Sequence, residues 1–296
     1  MGGFFGITAK TECLSDVYFG VDYHSHLGTH RAGLAAWDPE RGLQREIHSI
    51  EHAPFRTKFE TALREMNGQA AIGCISDADP QPLIVRGRTG IFAVSLTGVI
   101  TNADKLIGER LRRGAHFDVM TGGRVNGTEL LAVLINERED LAEGIRYAQE
   151  VIEGTASILI LTDKGELVAA RDRFGRLPVQ LGKAPGAFAV SFESFALEKL
   201  GFEPYRELGP GEIVRLSPEG EEVLLPPLPK KRICAFLWSY YGYPSSGYEG
   251  VSVEAMRYRN GASMARSEKD LPDERHHANL NRNSAIVSLS ISLILS

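Results

Sequence analysis

Three histidines close together form the first group of residues that could do chemistry. His24, His26 and His30 all lie in the stretch "HSHLGTH". On a helix, His26 and His30 would share one face, as metal ligands must. His24 would not join them, and Gly28 is expected to end the helix between them. No acidic residue lies nearby in helical register, so the pattern favours a histidine cluster without a metal, and we expect no metal site.

The three cysteines are a second group, because a thiolate can act as a nucleophile. Cys74 lies in the apolar run "AIGCIS" and Cys234 begins another apolar stretch, which favours buried structural thiols. Cys13 precedes an expected helix, and a helix N-terminus can lower a thiol pKa, but no histidine is near it in sequence. So few, widely separated cysteines indicate a reducing cytoplasm and argue against a disulfide framework.

Signatures of nucleotide binding do not occur in this sequence. "LILTDKG" has a superficial likeness to the strand and acidic loop that hold a ribose diphosphate, but it lacks the paired acids and the following Thr/Gly loop. "DKG" between two alternating runs predicts a hairpin turn instead. Neither a Walker loop nor a Gly-x-Gly-x-x-Gly pattern is found. We therefore expect no cofactor.

Composition restricts the class of protein. The 296 residues are 43% hydrophobic and 24% charged, as in an ordinary globular protein, and carry a net charge of -5. This charge gives no reason to expect nucleic acid or an anionic membrane as a partner. No basic leader with an apolar core and no run of about 18 apolar residues occurs, so neither a signal peptide nor a membrane span is expected. These features indicate a cytoplasmic protein.

The elements that would position any site follow a simple order. Strands are predicted early, helices in the middle and strands again later, which favours a layered α+β fold over a doubly wound parallel sheet. Hairpins are predicted around "PERG", "DKG" and "SPEG". The opening "GGFFGITA" predicts a buried first strand, and "CAFLWSYYGYP" predicts an aromatic strand.

Changes in composition suggest three regions. "PPLPKK" breaks the pattern of elements and predicts a domain edge, so the first domain is expected to cover residues 1–228. Residues 229–265 would form a linker and the first elements of a second domain. Residues 266–296 change character again: a polar stretch that predicts disorder precedes the apolar run "SAIVSLSISLILS". This run is too short to cross a membrane.

Several separate motifs, in order, carry a family resemblance. "ARDRFGRLPVQLG", "SFESFALEKLG" and "LGPGEIVRL" resemble "ARDPYGIRPLVLG", "SESCAL…LGF" and "PGE" in the glutaminase domain of the amidophosphoribosyltransferases, which are class II glutamine amidotransferases. "CAFLWSYYGYPSS" and the helix after it are similar to the family's link into its phosphoribosyltransferase domain. The resemblance runs from residue 1 to about residue 265. It implies an N-terminal-nucleophile fold, a four-layer α/β/β/α sandwich.

The resemblance also implies which positions would do the chemistry. In the family, removal of Met exposes a cysteine whose thiolate attacks the glutamine amide, with the free α-amine as base. The family's opening "CGIFG" is "GGFFG" here, so the nucleophile position is Gly2. Glycine has no side chain and cannot form a thioester. We therefore expect the first strand to be kept because the fold requires it, although it no longer supplies a nucleophile.

Further positions of the implied glutamine pocket are also changed. Ser76 replaces the arginine that binds the glutamine carboxylate, and Gly127 replaces the aspartate that binds its amine. In "LTGVITN", Thr97 replaces the asparagine of the oxyanion hole, whereas Gly98 keeps the family's glycine. Loss of one oxyanion donor typically costs about 10²–10³ in rate. Together these losses predict a degenerate glutaminase site.

Three hypotheses follow. The first is a pseudo-glutaminase, a scaffold or regulatory domain of an amidophosphoribosyltransferase-like protein of purine biosynthesis whose phosphoribosyltransferase domain is truncated. The second is a re-purposed site in which Cys74, Asp77 or Asp79 acts on another small amide or amino acid. The third is an interaction module that binds a partner through the aromatic stretch "FLWSYYGYP". The sequence leaves a small amino acid or amide ligand, and a homo-oligomer, open.

Overall fold

The computed structural model describes residues 2–267 of the chain. Its first strand, β1 (Gly2–Ala9), is buried along its whole length. Because neighbouring side chains on a strand point to opposite faces, Phe4 and Phe5 enter different cores. This confirms the prediction that the glycine- and phenylalanine-rich opening forms a buried strand. None of the described helices is long and apolar enough to cross a membrane.

Helices and strands alternate in blocks along the chain. The helices are α1 (Leu14–Asp22), α2 (Phe55–Glu65), α3 (Ala103–Arg112), α4 (Gly127–Ile135), α5 (Leu141–Val151), α6 (Ser194–Lys199) and α7 (Val253–Ser267), with a 3₁₀ turn at Ser25–Leu27 and a π-helix at Leu237–Tyr241. The strands after β1 are β2 (Arg31–Asp38), β3 (Gly42–Ser49), β4 (Ala70–Ser76), β5 (Leu83–Gly87), β6 (Gly90–Ile100), β7 (Met120–Thr121), β8 (Arg124–Val125), β9 (Gly154–Thr162), β10 (Leu167–Ala170), β11 (Gln180–Ala184), β12 (Ala187–Ser191), β13 (Glu203–Glu207), β14 (Ile213–Ser217), β15 (Gly220–Leu225), β16 (Gly247–Tyr248) and β17 (Val251–Ser252).

The strands form two large sheets and two short hairpins. One sheet has seven strands in the order β13-β11-β12-β1-β4-β2-β3, and the other has six in the order β15-β14-β10-β9-β6-β5. All pairings of the described strands are antiparallel, and they include β2 with β3, β9 with β10 and β14 with β15. The three predicted hairpins are therefore confirmed.

Three apolar cores separate four layers. One core lies between the seven-stranded sheet and helices α1 and α2, one between the two sheets, and one between the six-stranded sheet and helices α3, α4 and α5. Each sheet is therefore covered on one face by helices and on the other face by the second sheet, which explains why its central strands are buried on both faces. The predicted α+β fold, an α/β/β/α sandwich, is confirmed.

The described residues divide into two compact units. The first comprises residues 2–192 and 196–233, and the second comprises residues 193–195 and 234–267. In the second unit, "LWSYY" forms a π-helix, so the prediction of an aromatic strand there is wrong. Helix α7 continues to Ser267, which makes the first two residues of the expected tail, 266–267, helical. The rest of that tail, residues 268–296, lies outside the described residues.

Candidate functional site

The implied nucleophile position lies at the start of β1, beside β4. Gly2 is paired with Ser76 in the antiparallel register of these two strands. A Cβ atom built on Gly2 would lie 2.4 Å from the carbonyl oxygen of Ile75, closer than real Cβ atoms approach an oxygen. The backbone of β4 therefore occupies the space that a side chain at residue 2 would need.

The residues that follow β4 use their polar atoms to shape a loop. Ser76 is buried, and its hydroxyl accepts a hydrogen bond from the Ala78 N–H at 3.3 Å. One carboxylate oxygen of Asp77 accepts a hydrogen bond from the Thr29 N–H at 2.8 Å. These bonds favour a structural role in the loop for both side chains.

Cys74 lies in the core between the two sheets. It is fully buried, and its Sγ donates a hydrogen bond to the carbonyl oxygen of Gln81 at 3.4 Å. Burial raises the pKa of the Cys74 thiol to about 12. The hydrogen bonds with Ser95 and Gly33 lower this pKa, but their effect is smaller than that of burial. A thiol with this pKa holds almost no thiolate at neutral pH and is a poor nucleophile.

Three other predicted site residues meet at one cavity. The cavity has a volume of about 350 Å³ and lies where the loop after β4, strand β6 and the start of α4 approach one another. Asp79, Gly98 and Gly127 line it together with Arg124. The remaining lining residues are Ala78, Leu96, Val99, Ile100, Ala103 and Val125.

Asp79 supplies a carboxylate to this cavity. Its Oδ2 atom accepts a hydrogen bond from the Gly127 N–H at 2.9 Å, at the first residue of α4. Burial raises the pKa of Asp79 above its ordinary value, and the bond from Gly127 opposes that rise. A half-buried carboxylate of this kind is suited to bind a cationic amine or to exchange a proton.

Strand β6 contributes Gly98 to the cavity wall, whereas Thr97 is buried and does not line the cavity. Gly98 has a φ angle of +152°, and a Cβ atom there would lie 2.0 Å from the Thr155 carbonyl oxygen. Only glycine fits this close approach of β6 to β9. The retained glycine therefore has a structural reason that does not depend on catalysis.

Two buried amides hold the cavity walls together. The side chain of Gln81 bonds both backbone groups of Leu96, donating at 2.9 Å and accepting at 2.7 Å, and also accepts from the Thr128 hydroxyl. The side chain of Asn126 caps α4 by accepting from the Thr128 N–H and donates to the carbonyl of Pro80 at 2.9 Å. The loop after β4 is thereby tied to both β6 and α4.

Arg124 belongs to none of the sequence motifs that predicted the site. It is exposed on the β7–β8 hairpin and lines both this cavity and a neighbouring one of about 440 Å³. The hairpin is held by Glu129, whose carboxylate accepts from the N–H groups of Asp118 and Val119 at 2.7 and 2.9 Å. The double glycine of "TGGRVNG" predicts a turn here, but nothing in sequence links that turn to the loop after β4.

The histidines do not form a metal centre in the described part of the chain. His24 is fully buried, and its Nδ1 atom lies 2.7 Å from the carbonyl oxygen of Gly20. No group of three or more His, Cys, Asp and Glu side chains within residues 2–267 is arranged to hold a metal ion.

Two stacked antiparallel sheets between helical layers are the architecture of the N-terminal-nucleophile class of glutamine amidotransferase domains. The chain belongs to the glutamine amidotransferase domain family, whose profile matches residues 50–199.

Amidophosphoribosyltransferases are among its relatives in sequence and structure. The chain is 27% identical to that of Bacillus subtilis over 275 residues, which cover 89% of this chain and 56% of the relative. It is 27% identical to that of Methanocaldococcus jannaschii over 296 residues, covering 90% and 61%. It also resembles the solved glutamine phosphoribosylpyrophosphate amidotransferase of B. subtilis in complex with ADP and GMP, with a TM-score of 0.82, 27% identity and coverage of 92% and 59%. The chain thus spans a little over half the length of these relatives.

Proposed function

We propose that this chain is an amidophosphoribosyltransferase-like protein whose glutamine amidotransferase domain does not hydrolyse glutamine and acts as a scaffold or regulatory domain. The observation that carries this proposal is Gly2, which offers no nucleophile and leaves no room for a side chain beside Ile75. Ser76 and Gly127 support it, because neither can supply the charge that the family's arginine and aspartate would give.

The second region is part of the same proposal. We take residues 229–265 to be the linker and the first elements of a phosphoribosyltransferase domain. The matches to relatives cover 89–90% of the chain, a larger share than residues 1–228 alone make up, which supports this assignment. A cytoplasmic location and a homo-oligomer stay predictions from the sequence.

The experiment that tests the loss of hydrolysis is ammonia release from L-glutamine. The chain is compared with Gly2→Cys, and with Gly2→Ala as a control that adds the same Cβ atom but no thiol. We expect no release from any of them. In both variants the added Cβ atom must displace the backbone of β4. All three proteins also lack the arginine and the aspartate that bind the carboxylate and the amine of glutamine in the family. Turnover by the unmodified chain would refute the proposal. Turnover by Gly2→Cys alone would mean that the nucleophile is the only catalytic part lost.

We further propose that the cavity holds a small amino acid or amide without hydrolysing it. Arg124 and Asp79 offer charges of opposite sign on its wall, which suits a ligand that carries both a carboxylate and an amine. The cavity volume of about 350 Å³ is within the range of small-molecule sites. This site would bind the charged groups of its ligand through Arg124 and Asp79, in place of the arginine and aspartate that the family uses.

Calorimetric titration with the common L-amino acids and their side-chain amides tests this cavity. We expect one of them to bind, with affinity reduced about tenfold by Arg124→Gln or by Asp79→Asn, because each removes one charged contact. Arg113→Gln is the matched control, since Arg113 is exposed and does not line the cavity. Absence of binding across the panel, or an equal loss in the control, would contradict the assignment.

A re-purposed enzyme is the second candidate, and the raised pKa of Asp79 at the cavity favours it. In that case Asp79 would act as the general base and Cys74, fully buried, would take no part. Chemical change of the bound amino acid, followed by mass spectrometry and lost in Asp79→Asn, would distinguish this candidate from simple binding.

A further inference from the structure

Four cationic side chains surround one aromatic ring in the first unit. The guanidinium carbons of Arg173, Arg176 and Arg232 lie 5.3, 4.9 and 5.2 Å from the centre of the Phe174 ring, and the Lys230 Nζ atom lies 5.9 Å from it. We call these five residues the Phe174 cation cluster. The ring attracts each cation, and this attraction gathers like charges that would otherwise separate.

Backbone contacts join the two segments that form the cluster. The Arg232 N–H donates to the Phe174 carbonyl oxygen at 2.7 Å, and the Leu228 N–H donates to that of Pro210 at the same distance. Lys230 and Arg232 therefore belong to a segment that is attached to the turn carrying Phe174. Arg173, Lys230 and Arg232 are exposed, and Arg176 is half-buried, so the cluster is accessible on the surface of this unit.

The four cations of the cluster are not ion-paired within the described residues, although the buried carboxylate of Asp172 lies in the same turn. Among residues 2–267, none of its four cations lies within ion-pair distance of a carboxylate. Arg173 donates instead to the backbone carbonyl of Glu150 at 3.3 Å, and Arg176 to that of Gly154. Since the chain as a whole has a net charge of -5, this concentration of positive charge is local and suits an anionic partner.

Arg146 adds a fifth positive charge close to the cluster. Burial lowers the pKa of the Arg146 guanidinium, Glu150 opposes this effect, and Arg173 lowers that pKa further. Arg146 and Arg173 are thus close enough for their charges to interact. An anion bound at the cluster would relieve the repulsion between them.

The backbone around Phe174 does not form an anion-binding turn. Phosphate sites of that kind use free backbone N–H groups, whereas other phosphate sites use arginine and lysine side chains. Here the N–H groups of Phe174 and Arg176 both donate to the Asp172 carboxylate, at 3.2 and 2.9 Å, and that of Gly175 donates to the Asp172 carbonyl. The cavity beside Phe174 has a volume of only about 10 Å³, too small for a nucleotide. The cluster therefore offers only side-chain cations on an open surface.

We propose that the Phe174 cation cluster is a docking surface for an acidic segment of a partner protein. The Cβ atoms of two acidic residues four apart on a helix lie about 5–6 Å from each other, and alternate residues of a strand are about 6.6 Å apart. Either spacing lets two or three carboxylates contact cations that surround a single ring. The proposal adds an interaction surface and does not depend on the fate of the glutamine site.

Fluorescence anisotropy with the full chain and a fluorescein-labelled oligoglutamate peptide tests this surface. The variant Arg173→Gln/Arg232→Gln is compared with Arg112→Gln/Arg113→Gln, which removes two exposed arginines of the α3 end and changes the net charge equally. We expect the cluster variant to bind about tenfold more weakly and the control variant to bind within about twofold of the unmodified chain. Binding should also weaken as salt is added.

Three outcomes would overturn the proposal. These are no binding of the peptide, equal loss in both double variants, and displacement of the peptide by inorganic triphosphate or a DNA oligonucleotide at lower concentration than by unlabelled oligoglutamate. The last outcome would assign the cluster to phosphate chemistry instead. Circular dichroism of both variants checks the fold, which four exposed side chains are not expected to change.

Discussion

At the scale of single residues, Asp79 couples the cavity to pH. Burial raises its pKa above the ordinary value of 3.8, so the folded state holds this proton more tightly than the unfolded chain does. Above the raised pKa, the ionised carboxylate therefore lowers stability, and this cost disappears as pH falls through the raised pKa. Asparagine can still accept the hydrogen bond from Gly127 but carries no charge.

We accordingly expect Asp79→Asn to raise the free energy of unfolding at neutral pH, by less than about 1 kcal/mol because solvent reaches part of the group. The stability difference between the variant and the unmodified chain should shrink as pH falls through the raised pKa of Asp79 toward 3.8. Thermal melting across this pH range measures both effects. Asp118→Asn is the control, since Asp118 is exposed just before the nearby β7–β8 hairpin. A stability loss at neutral pH in Asp79→Asn would show that its charge is stabilising.

At the scale of elements, α4 depends on its N-cap more than α5 does. Asn126 is fully buried, caps α4 and also bonds the Pro80 carbonyl. Asp140 caps α5 in the same way through the Ala142 N–H, but it is exposed. Loss of the buried cap also leaves the Pro80 carbonyl without its donor, which adds to the cost.

The expected destabilisation is about 2–4 kcal/mol for Asn126→Ala and about 1 kcal/mol for Asp140→Ala. Urea unfolding of the two variants beside the unmodified chain measures the difference. Similar losses in both would mean that the link from Asn126 to the loop after β4 contributes nothing.

Local pattern predicted some elements well and failed for others. The hairpins around "PERG", "DKG" and "SPEG" were predictable because turn residues between alternating strands act over a few residues. The aromatic stretch at Leu237–Tyr241 was not, because aromatic side chains favour strands only where a sheet is present to receive them. Here Trp238 is buried as part of a π-helix, with its indole N–H donating to the Val251 carbonyl.

The same limit applies to the candidate site. Sequence alone pointed to Asp79, Gly98 and Gly127, and these three residues line one cavity. The sequence could not show that Cys74 lies away from this cavity. The face of the sheet to which Cys74 points depends on the register of β4 between β1 and β2, which the sequence does not reveal. Arg124 was missed because a turn 45 residues further along the chain gives no local sign of its spatial neighbours.

At the scale of the whole molecule, Arg171 links the two sheets. It follows β10 of the six-stranded sheet and is almost completely buried. Its guanidinium donates to the carbonyls of Gly175 and Leu177, and to that of Leu208 just after β13 of the seven-stranded sheet. It also forms an ion pair with Glu207 at 3.2 Å. A buried charge that satisfies several carbonyls is costly to remove, because its partners stay buried without a donor.

Arg171→Met should therefore destabilise the fold by about 3–5 kcal/mol, although methionine fills much of the same space. Arg215→Met is the matched control, since Arg215 pairs with Glu222 on the more exposed outer strands of the six-stranded sheet, and its loss should cost less than about 1 kcal/mol. Urea unfolding followed by tryptophan fluorescence and by circular dichroism compares the two. If Arg171→Met were as stable as the control, the two sheets would be joined by their apolar core alone, and the buried arginine would have no role in holding them together.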